Sequence, residues 1–373
     1  MNMDRVAVVA SAQTELRPRW SGAQHVDLIS AVVASVFKGT GLSIDDVDFV
    51  IDSGSDVLDG RSISNCGFLG AMGAHHKEES RVEEDGLWAA LYGATKIAAG
   101  GAQVGLIIAY SKPSESDVNL FYSSQCEPFY QRPVGFDHRA ASGIQAQRYL
   151  AQHGRTSADL ARVAAKRWSD AARQGRVQIA MAPSEADVLA STNIAVPLKA
   201  LMMARPVDGA VAVLLASEEV ARRTQPMPVW ITGMGMSTDR HAFAARKGGV
   251  LEACEVAARS AYARAGWDKP TASIAEVSAS SAVSELMVIE ALGLAAPGRG
   301  MDLLGDQKNI SVNLSGGALP ADPIMATGLV RLSEAMRQLT CPDSYGLRSP
   351  SSAIVHGAGG VGMQAHCVLT LEI

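Results

Sequence analysis

The chain has 373 residues, 47% hydrophobic and 19% charged, which excludes a disordered or fibrous protein. At ~100–200 residues per domain the length allows two or three domains, or one large duplicated one. A net charge of −5 argues against non-specific binding to nucleic acid or an anionic membrane.

Strand and helix signals alternate from the start. The apolar run 6–10 follows Asp4 and Arg5, which predicts a first strand rather than a secretory signal. Residues 27–37 (DLISAVVASVF) have helical spacing and stop before Gly39 and Gly41. A strand at 49–51, a helix at 86–99 and a strand at 104–109 follow, and this alternation implies a parallel sheet covered on both faces. The apolar stretch 104–110 is far short of the ~20 residues that a spanning helix needs. From about 112 to 198 the pattern changes to a polar, aromatic loop (SKPSESDVNLFYSSQCEPFYQRP) and helical segments near 140–152, 157–172 and 185–191, which predicts an insertion. Strand character returns at 211–215.

The second half repeats the first. A strand at 229–232, a helix at 251–265 and a strand at 274–278 match the order of the first half, as do the helix at 324–339 and the strand at 353–355. The length of the repeat is that of a duplicated domain, not of a solenoid unit. The expected division is 1–225, with a loop domain at about 112–200, and 226–373.

Most single motifs read blandly. Gly357-Ala-Gly-Gly-Val-Gly362 matches G-x-G-x-x-G, but only a strand-like tail follows, so it predicts a tight turn between antiparallel strands and not a dinucleotide site. The five cysteines (Cys66, Cys126, Cys254, Cys341, Cys367) are odd in number and scattered, with neither a disulfide framework nor metal-ligand spacing. A reducing cytoplasm fits them, and no metal is expected. His75-His76 reads as a solvated loop, and no G-x-S-x-G elbow occurs. Cys126 lies among aromatics with no activating helix end, so a structural thiol is the favoured reading. Glu83, Glu84 and Asp85 precede the helix that begins at Gly86. Acids there cap free N–H groups, and such helix ends in α/β sheets also point into active clefts.

Several stretches together resemble the thiolase superfamily, especially its sterol-carrier/lipid-transfer thiolase-like branch. They are VAVVASAQTEL at the start, YLAQHGRTSADLARVAAKRWSDAA (149–172), PLKALMMARPVDGAVAVLLASEEVA (197–221), EVSASSAVSELMVIEALGL, and NLSGGALPADPIMATG (313–328), which is similar to the family's Ser-Gly-Gly … Gly-His-Pro … Ala-Thr-Gly motif. The resemblance implies an α/β, five-layered α-β-α-β-α fold of two βαβαβαββ halves with an inserted helical loop domain, and a dimer. It also implies a CoA thioester as substrate, with no covalently bound cofactor.

The departures shape the expected chemistry. A thiolase uses a cysteine at the N-terminus of a buried helix as its nucleophile. The matching region here is Glu83-Glu-Asp-Gly86, without cysteine. The histidine of Gly-His-Pro becomes Asp322, the His-Asp-Ala-Phe segment becomes Ser278-Ala-Ser-Ser281, and the second cysteine position becomes His356. The expected catalytic set is Glu84, Asp85, Ser278, Asp322 and His356, with His356 the first candidate for acid or base. Arg132, Gly316, Gly317 and Gly359 are the candidate contacts to the CoA thioester. The expected reaction is retro-aldol C–C cleavage, or its reverse, run by proton transfer. Relatives of this kind work with a separate OB-fold/zinc-ribbon acyl-CoA-binding protein, so a homodimer or such a heteromer is implied. The alternatives are a catalytically silent subunit supporting a partner, and a thiolase using a displaced cysteine such as Cys126. The aromatic pairs Phe121-Tyr122 and Phe129-Tyr130 are candidates for an acyl wall or for loop packing.

Overall fold

The computed structural model describes residues 5–305 and 310–373. Asp4, read as preceding the first strand, lies outside the described residues. The core is a ten-stranded mixed sheet. Its strands are β1 (Val6–Gln13), β2 (Phe49–Ser53), β3 (Glu78–Val82), β4 (Val104–Ser111) and β5 (Gly209–Ser217) from the first half. The second half supplies β6 (Val229–Thr238), β7 (Ile274–Val277), β8 (Ser311–Val312), β9 (Ser352–Gly359) and β10 (Ala365–Glu372).

The spatial order is β3-β2-β4-β5-β1 in one half and β8-β7-β9-β10-β6 in the other, the same order twice. The halves join where β1 runs antiparallel to β6, pairing Val6 with Ile231 and Val8 with Val229. The duplication expected from coarse element order is therefore present strand for strand.

Helices α1 (His25–Val36), α2 (Gly86–Ala98), α3 (Val118–Ser124), α4 (His138–His153) and α5 (Ser157–Gln174) belong to the first half and its insertion. Helices α6 (Glu252–Ala265), α7 (Ala282–Ala291) and α8 (Thr327–Thr340) belong to the second. The layers follow from which faces are apolar. Both faces of each half-sheet are buried, so the central strands read as continuous apolar runs rather than alternating ones. Leu87, Ala90, Ala94 and Ile97 of α2 and Leu329, Leu332 and Leu339 of α8 share one core with the inner faces of both half-sheets. The outer face of the first half is covered by Leu28, Ile29 and Val32 of α1. That of the second is covered by α6, α7 and the insertion helices α4 and α5. This is the five-layered α-β-α-β-α arrangement. The pair β9 and β10 runs antiparallel from Ser352 opposite Glu372 to Gly359 opposite Ala365, so the glycine-rich motif is a strand end and turn, as read.

Candidate active site

The two central helices begin at the same place. Asp85 is the N-cap of α2, and its Oδ1 accepts the amide of Leu87 at 2.9 Å. Its Oδ2 accepts the amide of Gly328, at the start of α8, at 2.7 Å. Ala326, the N-cap of α8, has no capping side chain of its own. One carboxylate thus serves two helix ends. The approach requires glycine at 328, because a Cβ there would lie 1.9 Å from Asp85 Oδ1. The Ser53 hydroxyl reaches the backbone carbonyls of Glu84 and Met325, stitching the same two segments together.

A cavity of about 440 Å³ opens over these helix ends. Glu83, Glu84, Asp85, Ser278, Asp322 and Gly359 line it, together with Ser55, Phe121, Tyr122, Gln125 and Thr327. Four of the five catalytic residues expected from sequence therefore meet at one cavity. The fifth, His356, is fully buried and is not among the lining residues. It faces His366, with Nε2 to Nδ1 at 2.9 Å.

The electrostatics of the acids follow from burial. Loss of water pushes the Asp85 carboxyl up to about 8, against the pull of the Gly328 and Leu87 amides and with help from Glu84 and Asp322. Burial raises Glu84 as well. Asp322 is pushed up to about 6, again by burial, opposed by the Thr327 hydroxyl donating to Oδ1. Acids displaced by different amounts around neutrality are what acid and base roles require. The Ser278 hydroxyl is buried without a hydrogen-bond partner and lines the cavity, so it is free to donate to a ligand. Burial drives His356 well below the usual imidazole range, reinforced by the neighbouring His366, so it is a neutral ring.

The binding candidates divide. Gly359 lines the cavity against Glu84, where a Cβ would sit 2.4 Å from Oε2. Gly316 and Gly317 do not line it. Their turn is pinned by Ser315 to buried Glu276 at 2.6 Å, and a Cβ on Gly316 would strike Ala171 of α5 at 2.4 Å. Arg132 directs its guanidinium to the carbonyls of Cys126 and Ser124 within its own loop. Of the aromatic pairs, Phe121 and Tyr122 line the cavity while Phe129 and Tyr130 are about four-fifths exposed (79% and 82%).

Among the described residues no cysteine lines the cavity. Cys367 Sγ lies 3.9 Å from the Leu87 carbonyl, and burial with the nearby acids raises its thiol well above the usual range. Cys126 is buried in a small apolar cluster with Ala141, Phe243 and Val361.

Sequence reasoning did not single out Gln125 or Thr327, and left Tyr122 between an acyl wall and loop packing. Tyr122 lines the cavity and stacks on His138 at 3.8 Å between ring centroids. The only sequence signal was its place in an aromatic loop ahead of a helix.

The match to the thiolase C-terminal domain-like family covers residues 235–372. The chain is 24% identical over 354 residues to an acetyl-CoA acetyltransferase of Methanocaldococcus jannaschii, 90% of each chain. It is 28% identical over 229 residues to the acetyl-CoA acetyltransferase of Methanothermobacter thermautotrophicus, 59% of each chain. The solved structure of the Ltp2-ChsH2(DUF35) aldolase superposes with a TM-score of 0.84 over 100% of this chain and 98% of that one, at 21% identity. The second half thus matches a thiolase C-terminal-like domain, and the chain as a whole is similar to thiolase-superfamily proteins. The thiolase C-terminal match spans nearly all of the second half from β6 to β10, including Ser278, Asp322 and His356. No helix of the described residues is long and apolar enough to cross a membrane.

Proposed function

We infer that this thiolase-like protein acts on acyl-CoA thioesters and cleaves or forms a C–C bond by a retro-aldol reaction, without a cysteine nucleophile. The observation that carries the reading is the convergence of Glu84, Asp85 and Asp322 on one open cavity that no described cysteine lines. The names of the acetyl-CoA acetyltransferase relatives support a CoA thioester, and the aldolase neighbour supports the type of bond change. An open, carboxylate-lined cavity also favours an enzyme over a silent subunit. The neighbour's name joins two components, which supports a heteromer with an acyl-CoA-binding partner beside the homodimer expected of the family.

The roles follow from the displaced acids. Asp322, ionised above about 6, takes the proton of a β-hydroxyl group. The O–H pair becomes the new carbonyl, the Cα–Cβ bond breaks, and its electrons pass into the thioester as an enolate. Ser278 donates to the enolate oxygen. Glu84, whose carboxyl is raised by burial, returns a proton to Cα. Asp85 holds the two helix ends in register beneath them.

The test is a screen of β-hydroxyacyl-CoA thioesters with the chain alone and with a co-purifying partner. The expected kcat/KM rises with pH through about 6 as Asp322 ionises. Absence of cleavage for every thioester, alone and in complex, contradicts the reading.

A further inference from the structure

Behind the cavity, three side chains that the sequence scatters are brought together in the core. Cys254 lies in the first turn of α6, His356 on β9 and His366 on β10. In the antiparallel pairing His356 stands opposite Val368, and His366 opposite Ala358. The two histidines are therefore diagonal neighbours on one face of the ribbon. Cys367, between them in register, points to the other face and joins the central layer. The helix that carries Cys254 packs over the histidine face, and one ligand atom from each of the three residues lies within 4.8 Å of the others. All three side chains are fully or almost fully buried.

We propose that Cys254, His356 and His366 form a metal site for a thiophilic ion, Zn²⁺ or Cu⁺, that clamps α6 to the β9–β10 ribbon. The donor set, one thiolate and two imidazoles, suits these ions and not Mg²⁺ or Ca²⁺. The orientation of His366 is already that of a ligand. Its Nε2 meets the Met363 carbonyl at 2.9 Å, which must receive an N–H, so its Nδ1 presents a lone pair toward His356. His356 Nε2 faces that lone pair and is the ring nitrogen that would ligate beside it.

The three side chains fill three positions of a tetrahedral ion and a water taken in with it fills the fourth; Zn–N near 2.0–2.1 Å places the two nitrogens about 3.3–3.4 Å apart, so loading opens the present 2.9 Å contact by about half an ångström. The proton balance is simple. The thiol of Cys254 releases its proton to solvent, and His356 shifts its ring proton from Nε2 to Nδ1 so that Nε2 can ligate. Nothing is oxidised or reduced. Because the ligands are closed off from water, the ion enters while the chain folds.

The site is separate from the proton-transfer chemistry, and its test needs no turnover. Cys66 and Cys341 are exposed thiols that would bind metal adventitiously, so the parent for the test is the full chain carrying C66S and C341S. It is purified from cobalt- and from zinc-supplemented culture, and its metal content and absorbance are measured. The expected result is one ion per chain after gel filtration. The cobalt form should show a thiolate-to-metal charge-transfer band in the near ultraviolet and the visible bands of tetrahedral Co²⁺. Added C254S should remove the charge-transfer band, and H366Q should weaken retention about tenfold or more. X-ray absorption of the zinc-loaded parent, which needs no core substitution, should find one sulfur and two imidazole nitrogens. Failure of the parent to retain Zn²⁺, Co²⁺ or Cu⁺ stoichiometrically overturns the proposal and leaves a hydrogen-bonded histidine pair. So does a charge-transfer band that survives C254S.

Discussion

The two halves share one strand order but differ where their central helices begin. In the first half α2 carries its own cap, Asp85, with Glu84 beside it. In the second half α8 has no cap, and its free amide at Gly328 is met by the first half's Asp85. The second half instead contributes Asp322, on the turn that leads into α8. A duplicated scaffold thus brings two equivalent helix ends together, and the difference between them supplies an acid set that neither half holds alone.

If this asymmetry makes the chemistry, the strongest effect is at Asp322. D322N keeps the shape of the side chain and removes the base. We expect kcat on a β-hydroxyacyl-CoA to fall about 10²–10⁴-fold with little change in thermal midpoint. A loss below tenfold would move the base elsewhere and break the assignment.

The shared cap is tested next. G328A adds no charge but drives a methyl group into Asp85, at 1.9 Å in the present geometry. D85A removes the carboxylate itself and leaves two buried amides without acceptors. Each variant should lose roughly 2–4 kcal/mol in denaturant unfolding, at about 1–3 kcal/mol for an unsatisfied buried donor. If either matches the parent within about 0.5 kcal/mol, the helix ends do not depend on that bridge.

A smaller effect concerns pH. Asp85 in the folded chain is raised to about 8, above its unfolded value near 3.9. The native state therefore binds the extra proton between these limits. Its contribution is fully present below about 4 and is lost as pH rises through about 8. D85N should flatten that part of the stability curve. A curve that keeps the parent's slope would show that Asp85 titrates as in the unfolded chain.

Much of this was legible in the sequence, for physical reasons. The central strands are apolar on both faces and the helices have clear stops, so element order and duplication could be read from one chain. Glu84, Asp85, Ser278 and Asp322 stood out because motif-bearing segments placed ionisable or hydroxyl groups at helix and strand ends. His356 failed to reach the cavity because strand alternation is unforgiving. It turns toward the outer layer, while the next residue, Gly357, faces Asp85. Gly316 and Gly317 looked like a ligand-binding turn but admit α5, a contact with the insertion that no local pattern shows. The Cys254-His356-His366 cluster was invisible because its members come from remote elements.

The account stands on one claim: the cavity works through carboxylates and not through a thiolate. The direct measurement is intact-protein mass after incubation with a turned-over acyl-CoA and rapid acid quench, followed by peptide mapping of Cys66, Cys126, Cys254, Cys341 and Cys367. The account predicts the unmodified mass throughout turnover, with all five thiols free. An acyl group carried on any of these sulfurs at a level that tracks turnover would contradict it.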